Sequence, residues 1–159
     1  MNGVAAPIVT PFTEDGDVDD PALEALVGWL EDRGIDFLVP CGSTSESELL
    51  TADERARVIE TVVDAASVPV LAGTGSPGYR ETREATAAAA EAGADAALVV
   101  TPFYYPHDQS TLAAYYRDLA DEAPIPIYLY SVPVFTDVRL QPDTVADLAD
   151  HPNVAGIKD

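Results

Sequence analysis

The feature that most restricts this fold is a repeat of type rather than of letters. A short apolar run ends in a loop of Gly, Pro, Ser or Thr, an amphipathic stretch follows, and the pattern begins again. Candidate strands are Ala5–Val9, Phe37–Pro40, Pro69–Ala72, Ala97–Thr101, Ile127–Tyr130 and Val154–Lys158. They recur every ~30 residues, the size of a βα unit. Their near-continuous apolar character suits parallel strands covered on both faces.

The stretches between them carry helix signals. The first has Pro21 near its first turn, an apolar stripe Leu23, Leu26, Val27 and Leu30, and Gly34 as its stop. The second opens with Thr51 and Glu54, a capping box, and offers Val58, Ile59 and Val62 to a core. A third, alanine-rich helix is expected over Glu81–Glu91, ending at Gly93. A fourth begins near Ser110 with Leu112, Tyr115, Tyr116 and Leu119 on one face. A fifth follows Pro142, around Thr144–Leu148.

Strands alternating with helices in this way build either a doubly wound sheet or part of an eight-stranded barrel. The doubly wound nucleotide-binding form needs a glycine-rich turn after the first strand, and Val9-Thr10-Pro11-Phe12-Thr13 has no glycine. Polar residues instead close nearly every strand: Thr10, Ser43-Thr44, Thr74, Thr101, Tyr130-Ser131 and Lys158. A barrel keeps its chemistry at that end of its strands. The expected fold is therefore α/β, a (β/α)8 TIM barrel truncated after about strand six, with residues 1–159 forming one partial barrel domain.

Charge narrows the partners. Acidic residues number 28 against 8 basic ones, a formal net charge of −20. They are spread along the chain, as on the acidic surfaces of halophilic proteins, and such a surface repels nucleic acid and anionic membranes. No apolar run approaches the roughly 18 residues of a membrane span, and the N-terminus lacks the basic start and apolar stretch of a signal peptide. A cytoplasmic protein is expected. Cys41 stands alone, so no internal disulfide forms, and with His107 and His151 it shows no metal-ligand spacing. No metal site is expected.

Lys158 is the single lysine, and it ends an apolar strand in Gly156-Ile157-Lys158-Asp159. Arginine stays protonated and cannot replace a lysine as an amine nucleophile, whereas a desolvated lysine at a barrel mouth can attack a carbonyl. A leftover surface lysine is the plain alternative. Tyr130 ends the preceding strand, where a phenol could relay protons; packing in the core is the alternative for it. Gly42-Ser43-Thr44-Ser45-Glu46-Ser47 offers hydroxyls and backbone N–H groups to a carboxylate, although Ser/Thr loops are common. Gly73-Thr74-Gly75 reads equally well as a tight turn. Phe103-Tyr104-Tyr105-Pro106 supplies aromatics for a pocket wall or a subunit contact.

Taken in order, the motifs Gly42-Ser43-Thr44-Ser45-Glu46-Ser47, Gly73-Thr74-Gly75, Val100-Thr101-Pro102-Phe103-Tyr104-Tyr105, Tyr130-Ser131-Val132-Pro133 and Gly156-Ile157-Lys158 resemble the dihydrodipicolinate synthase / N-acetylneuraminate lyase family of class I aldolases. The resemblance implies a (β/α)8 barrel whose strands seven and eight lie beyond residue 159. It implies that Lys158 forms an imine with a small 2-oxo acid, with Tyr130 as the proton-transferring phenol. Gly42, Ser43 and Thr44 would hold the substrate carboxylate, Thr44 also joining the hydroxyl relay. Tyr104 would be the relay tyrosine lent to a neighbouring subunit, in a homo-oligomer of two or four chains. No metal or organic cofactor is implied.

The family's synthases carry an arginine shortly after the Tyr-x-Val-Pro segment, and Phe135 stands there in this chain. That substitution favours a carbon–carbon lyase acting on a 2-keto-3-deoxy sugar acid, 2-keto-3-deoxygluconate above all. The alternatives are 4-hydroxy-tetrahydrodipicolinate (dihydrodipicolinate) synthase or N-acetylneuraminate lyase, with Arg139 able to replace the missing arginine from another direction. A reading of another class is an inactive truncated fragment, which the activity of a chain extended by the remaining barrel units would expose.

Overall fold

A computed structural model describes all residues, Met1–Asp159. The chain divides into two compact units, Met1–Gly73 with Ala88–Asp95, and Thr74–Ala87 with Ala96–Asp159.

The first unit contains strand β1 (Ala5–Pro7), helix α1 (Asp20–Glu31), strand β2 (Phe37–Val39), helix α2 (Ala52–Ala65) and strand β3 (Leu71–Gly73), together with the C-terminal part of helix α3 (Tyr79–Ala92). β1 and β2 run parallel, with Ala5 opposite Phe37 and Pro7 opposite Val39. β2 also meets the approach to β3, where Leu38 N–H donates to Pro69 O at 3.0 Å. α1 begins where the Asp19 carboxylate accepts the Ala22 N–H at 3.0 Å, with Pro21 in the first turn, where its missing N–H costs nothing. Leu23 and Val27 are fully buried beneath it. The Thr51–Glu54 capping box forms in both directions: Glu54 N–H donates to Thr51 Oγ1, and Thr51 N–H donates to Glu54 Oε2. Val58, Ile59 and Val62 are buried as the periodicity implies, each contributing about 2 kcal/mol of hydrophobic stabilisation.

The second unit holds three parallel strands in the order β4 (Ala96–Val100), β5 (Ile127–Tyr130) and β6 (Val154–Lys158). Helices α4 (Gln109–Glu122), α5 (Pro133–Thr136) and α6 (Pro142–Ala149) accompany them, with the N-terminal part of α3. Ala97, Val99, Ile127 and Leu129 pack with Leu112, Tyr116 and Leu119 of α4 and Leu148 of α6 in one buried cluster. Strand side chains alternate, so this cluster defines the helix-covered face of the three strands. Leu98, Val100, Tyr128 and Tyr130 lie on the other face. The Asn153 amide donates to the carbonyls of Ala120, Ala123 and Ile125 at 3.0, 3.0 and 3.3 Å. It thereby satisfies groups left over at the end of α4 and fixes where β6 starts.

Strand boundaries shift from those read in the sequence. β1 stops at Pro7 and leaves Val9 52% exposed, and its partner β2 ends at Val39. β3 and β4 are likewise displaced, to Leu71–Gly73 and Ala96–Val100. α3 starts two residues before Glu81, and α6 fills Pro142–Ala149. The single turn α5 leaves no mark in the sequence, because four residues carry no helical period.

Candidate active site

β5 and β6 bring Lys158 and Tyr130 together. The two are partners in the parallel register, and the Lys158 Nζ lies 3.9 Å from the centroid of the Tyr130 ring. Thr101 N–H donates to Tyr130 O, and Ser131 N–H donates to Lys158 O at 2.9 Å. Both strand ends are thus held by backbone bonds on either side of the pair. Tyr130 is buried while the lysine stands exposed.

The facing of Lys158 depends on an irregularity. Opposite Ile127 stands Val154, but opposite the next residue, Tyr128, stands Gly156, so Ala155 is an extra residue in β6. Val154 packs against the helix-covered cluster. In a regular strand Lys158, four residues on, would share that face; the bulge turns it to the opposite one, where Tyr130 lies.

The hydroxyl loop after β2 belongs to the first unit. Cys41 (φ 54°) and Glu46 (φ 56°) take left-handed backbone angles, and two 3₁₀ turns, Ser43–Ser45 and Ser47–Leu49, separate the strand from α2. Ser43 and Thr44 are exposed on the first turn and Gly42 half-exposed before it, so both hydroxyls are accessible to a ligand. The loop therefore does not deliver its N–H groups at the start of α2. Ser45 has a bracing part that the motif alone does not show. It is 1% exposed, donates its hydroxyl to Ile8 O at 2.6 Å, and accepts the Thr10 hydroxyl on its own carbonyl at 3.0 Å. These bonds brace the loop against the end of β1, with Thr10 recruited to the brace.

Thr74 is buried and hydrogen-bonded through its hydroxyl to Thr86 at 2.9 Å. A Cβ at Gly75 would come 2.6 Å from Val100 N, so that glycine serves a close backbone approach. Tyr104 is 83% exposed, has φ 80° and meets Tyr105 edge-on with centroids 5.0 Å apart. Phe135 on α5 is 69% exposed. Arg139 Nη1 lies 3.6 Å from the carboxylate of Asp159, the residue after Lys158. No cluster of His, Cys, Asp or Glu suited to a metal ion occurs in the chain, and no helix is long and apolar enough to cross a membrane.

The sequence profile of the Dihydrodipicolinate synthetase family matches residues 1–159. A 4-hydroxy-tetrahydrodipicolinate synthase of Methanothrix thermoacetophila is 46% identical over 159 residues, covering 100% of this chain and 54% of that protein. The chain thus spans about half the length of the curated relatives it matches. The crystal structure of the chloride-inhibited dihydrodipicolinate synthase from Acinetobacter baumannii, complexed with pyruvate, superposes with TM-score 0.96 at 42% identity, over 99% of this chain and 55% of that one. CdNal from Clostridium difficile, solved with mannosamine, gives TM-score 0.93 at 26% identity over 100% and 56%. The six parallel strands with their helices thus correspond to a little over half of a barrel of this kind, and a closed eight-stranded barrel needs two strands more.

Proposed function

The chain belongs to the dihydrodipicolinate synthetase family, and from that membership we propose that it is the lysine-bearing part of a class I aldolase that makes or breaks a carbon–carbon bond beside a pyruvate unit. The carrying observation is the Lys158 amine over the Tyr130 ring at adjoining strand ends. The neutral amine of Lys158 adds to the ketone carbon of a 2-oxo acid, and the carbinolamine loses water to leave an iminium. Electrons of the neighbouring bond then flow into the iminium, giving an enamine and releasing an aldehyde. In the synthetic direction the enamine attacks an aldehyde carbon instead. The Tyr130 phenol gives and regains the proton of these steps. Ser43 and Thr44 hold the carboxylate of the 2-oxo acid, and Tyr104 completes a proton relay with Thr44 across a subunit contact in an oligomer.

The names of the relatives support condensation, in which pyruvate joins an aldehyde that carries a carboxylate, over the sugar-acid cleavage that Phe135 suggests. Arg139, beside the carboxylate that follows Lys158, is the cation proposed to meet the second carboxylate. Sugar-acid cleavage stays as the second reading because Phe135 offers no charge and no hydrogen-bond donor to a charged substrate. The deciding test of the shared chemistry is borohydride reduction in the presence of pyruvate. A stable adduct on the peptide containing Lys158 is expected, and its absence overturns the Schiff-base reading.

A further inference from the structure

Inner-face residues of β5 and β6 form two layers. Tyr130 and Lys158 make the upper one; Tyr128 and Gly156, partners in the register, make the lower one. Layers on one face of a strand are about 6.6 Å apart along its axis. Gly156 is therefore the residue of β6 whose side chain would stand directly below the lysine stem, and it has none.

The Tyr128 ring occupies that place. A Cβ built at Gly156 would come 2.9 Å from Tyr128 Cε1 and 3.1 Å from Cδ1, the first too close for a side chain unless the ring shifts. Glycine inside a strand weakens it and marks a close approach by another group; here that group is an aromatic ring from the neighbouring strand. Tyr128 is half-buried and lies on the face away from the buried cluster that α4 and α6 cover.

We propose that Tyr128 is a positioning residue for the Lys158 amine. Its ring fills the space left by Gly156 and forms a floor under the lysine stem, so that the stem keeps to the rotamer that lays Nζ on the Tyr130 ring. A floor of this kind also keeps water from beneath the amine. Tyr128 touches no reacting atom; it acts through Lys158, and its catalytic consequence rests on the Schiff-base reading above.

The single lysine makes a direct test available. Reductive methylation with ¹³C-formaldehyde labels only Lys158 and the N-terminal amine. In the unaltered chain the Lys158 methyl resonance is expected to be displaced from that of a free methylated lysine by the Tyr130 ring current. Tyr128→Phe, which keeps the ring, retains the displacement. Tyr128→Ala removes it and slows pyruvate trapping at least tenfold. Gly156→Ala, which leaves every core side chain in place, does the same, yet adds nothing further on top of Tyr128→Ala because the clashing partner is already gone. An unchanged resonance and trapping rate in both single variants overturns the proposal. If the unaltered chain fails to trap pyruvate while the resonance still collapses in Tyr128→Ala, the Schiff-base reading falls and the positioning of Lys158 by Tyr128 stands.

Discussion

Lys158 and Tyr130 face one another across adjoining parallel strands, with the amine nitrogen 3.9 Å from the ring centroid. Contact between an exposed ammonium and a ring face is worth roughly 0.5–1 kcal/mol, enough to bias where a four-carbon side chain rests. In the proposed mechanism the ring and the hydroxyl of Tyr130 have separable roles, the ring orienting the amine and the hydroxyl moving protons.

That separation sets the first prediction. Lys158→Arg abolishes pyruvate trapping, because the guanidinium keeps its proton and offers no nucleophilic lone pair. Tyr130→Phe keeps the ring under the amine, so an imine still forms, while turnover falls by roughly a hundredfold, the size expected for removing a positioned proton donor. Single-turnover trapping and steady-state rates measured on the same preparations separate the two. Normal turnover in Tyr130→Phe would remove the phenol from the mechanism.

The proposed substrate preference rests on Phe135 and Arg139. Removing one arginine–carboxylate contact costs a few kcal/mol, and at about 1.4 kcal/mol per factor of ten that is a hundredfold or more. Arg139→Ala is therefore expected to lower kcat/KM for condensing pyruvate with aspartate semialdehyde by about that factor. Cleavage of 2-keto-3-deoxygluconate should be the slower reaction and indifferent to the change. The reverse ranking, with Arg139→Ala neutral, hands the assignment to the sugar-acid reading.

Salt should stabilise the chain. The ion pairs Arg57–Asp20, Arg83–Glu122, Arg117–Asp147 and Arg139–Asp159 engage four of the basic residues, and a net charge of −20 remains whatever the pairing. Raising ionic strength from 0.1 to 1 M shortens the screening length from about 10 to 3 Å, which relieves this repulsion more than it weakens a few exposed pairs. The thermal midpoint is expected to climb with KCl over that range. A flat or falling midpoint would argue against an acidic surface suited to high salt.

Alkali should destabilise it. Burial raises the Cys41 thiol from an ordinary 9.0 to about 12 and the Tyr115 phenol from 10.0 to about 12; it also holds the Tyr116 phenol well above its ordinary value. Each group stays neutral in the folded chain at a pH where the unfolded chain has ionised it. Stability from these groups is complete below about pH 9 and drains away as pH rises toward 12. Denaturant midpoints measured from pH 8 to 11 should fall, and Cys41→Ala should flatten the part of the decline that begins near pH 9.

The sequence by itself determined the succession of elements. Continuous apolar runs, the Thr51–Glu54 box, Pro21 and the spacing of Val58, Ile59 and Val62 are local signals, and local physics suffices to place strands and helices from them. It also singled out Lys158, since a single lysine among eight basic residues is visible without coordinates. It did not determine which way that amine points. Val154 and Lys158 are four residues apart, and period-two alternation assigns them one face. The extra residue Ala155, visible only in the register against β5, puts them on opposite faces. Nor did the sequence show what Ser45 does, because its value lies in a bond to Ile8 O from 37 residues away. Gly156 likewise reads as a loose place in a strand until Tyr128 is seen to fill it. Those three relationships join segments far apart in the chain, and only the pairing of strands brings them within reach.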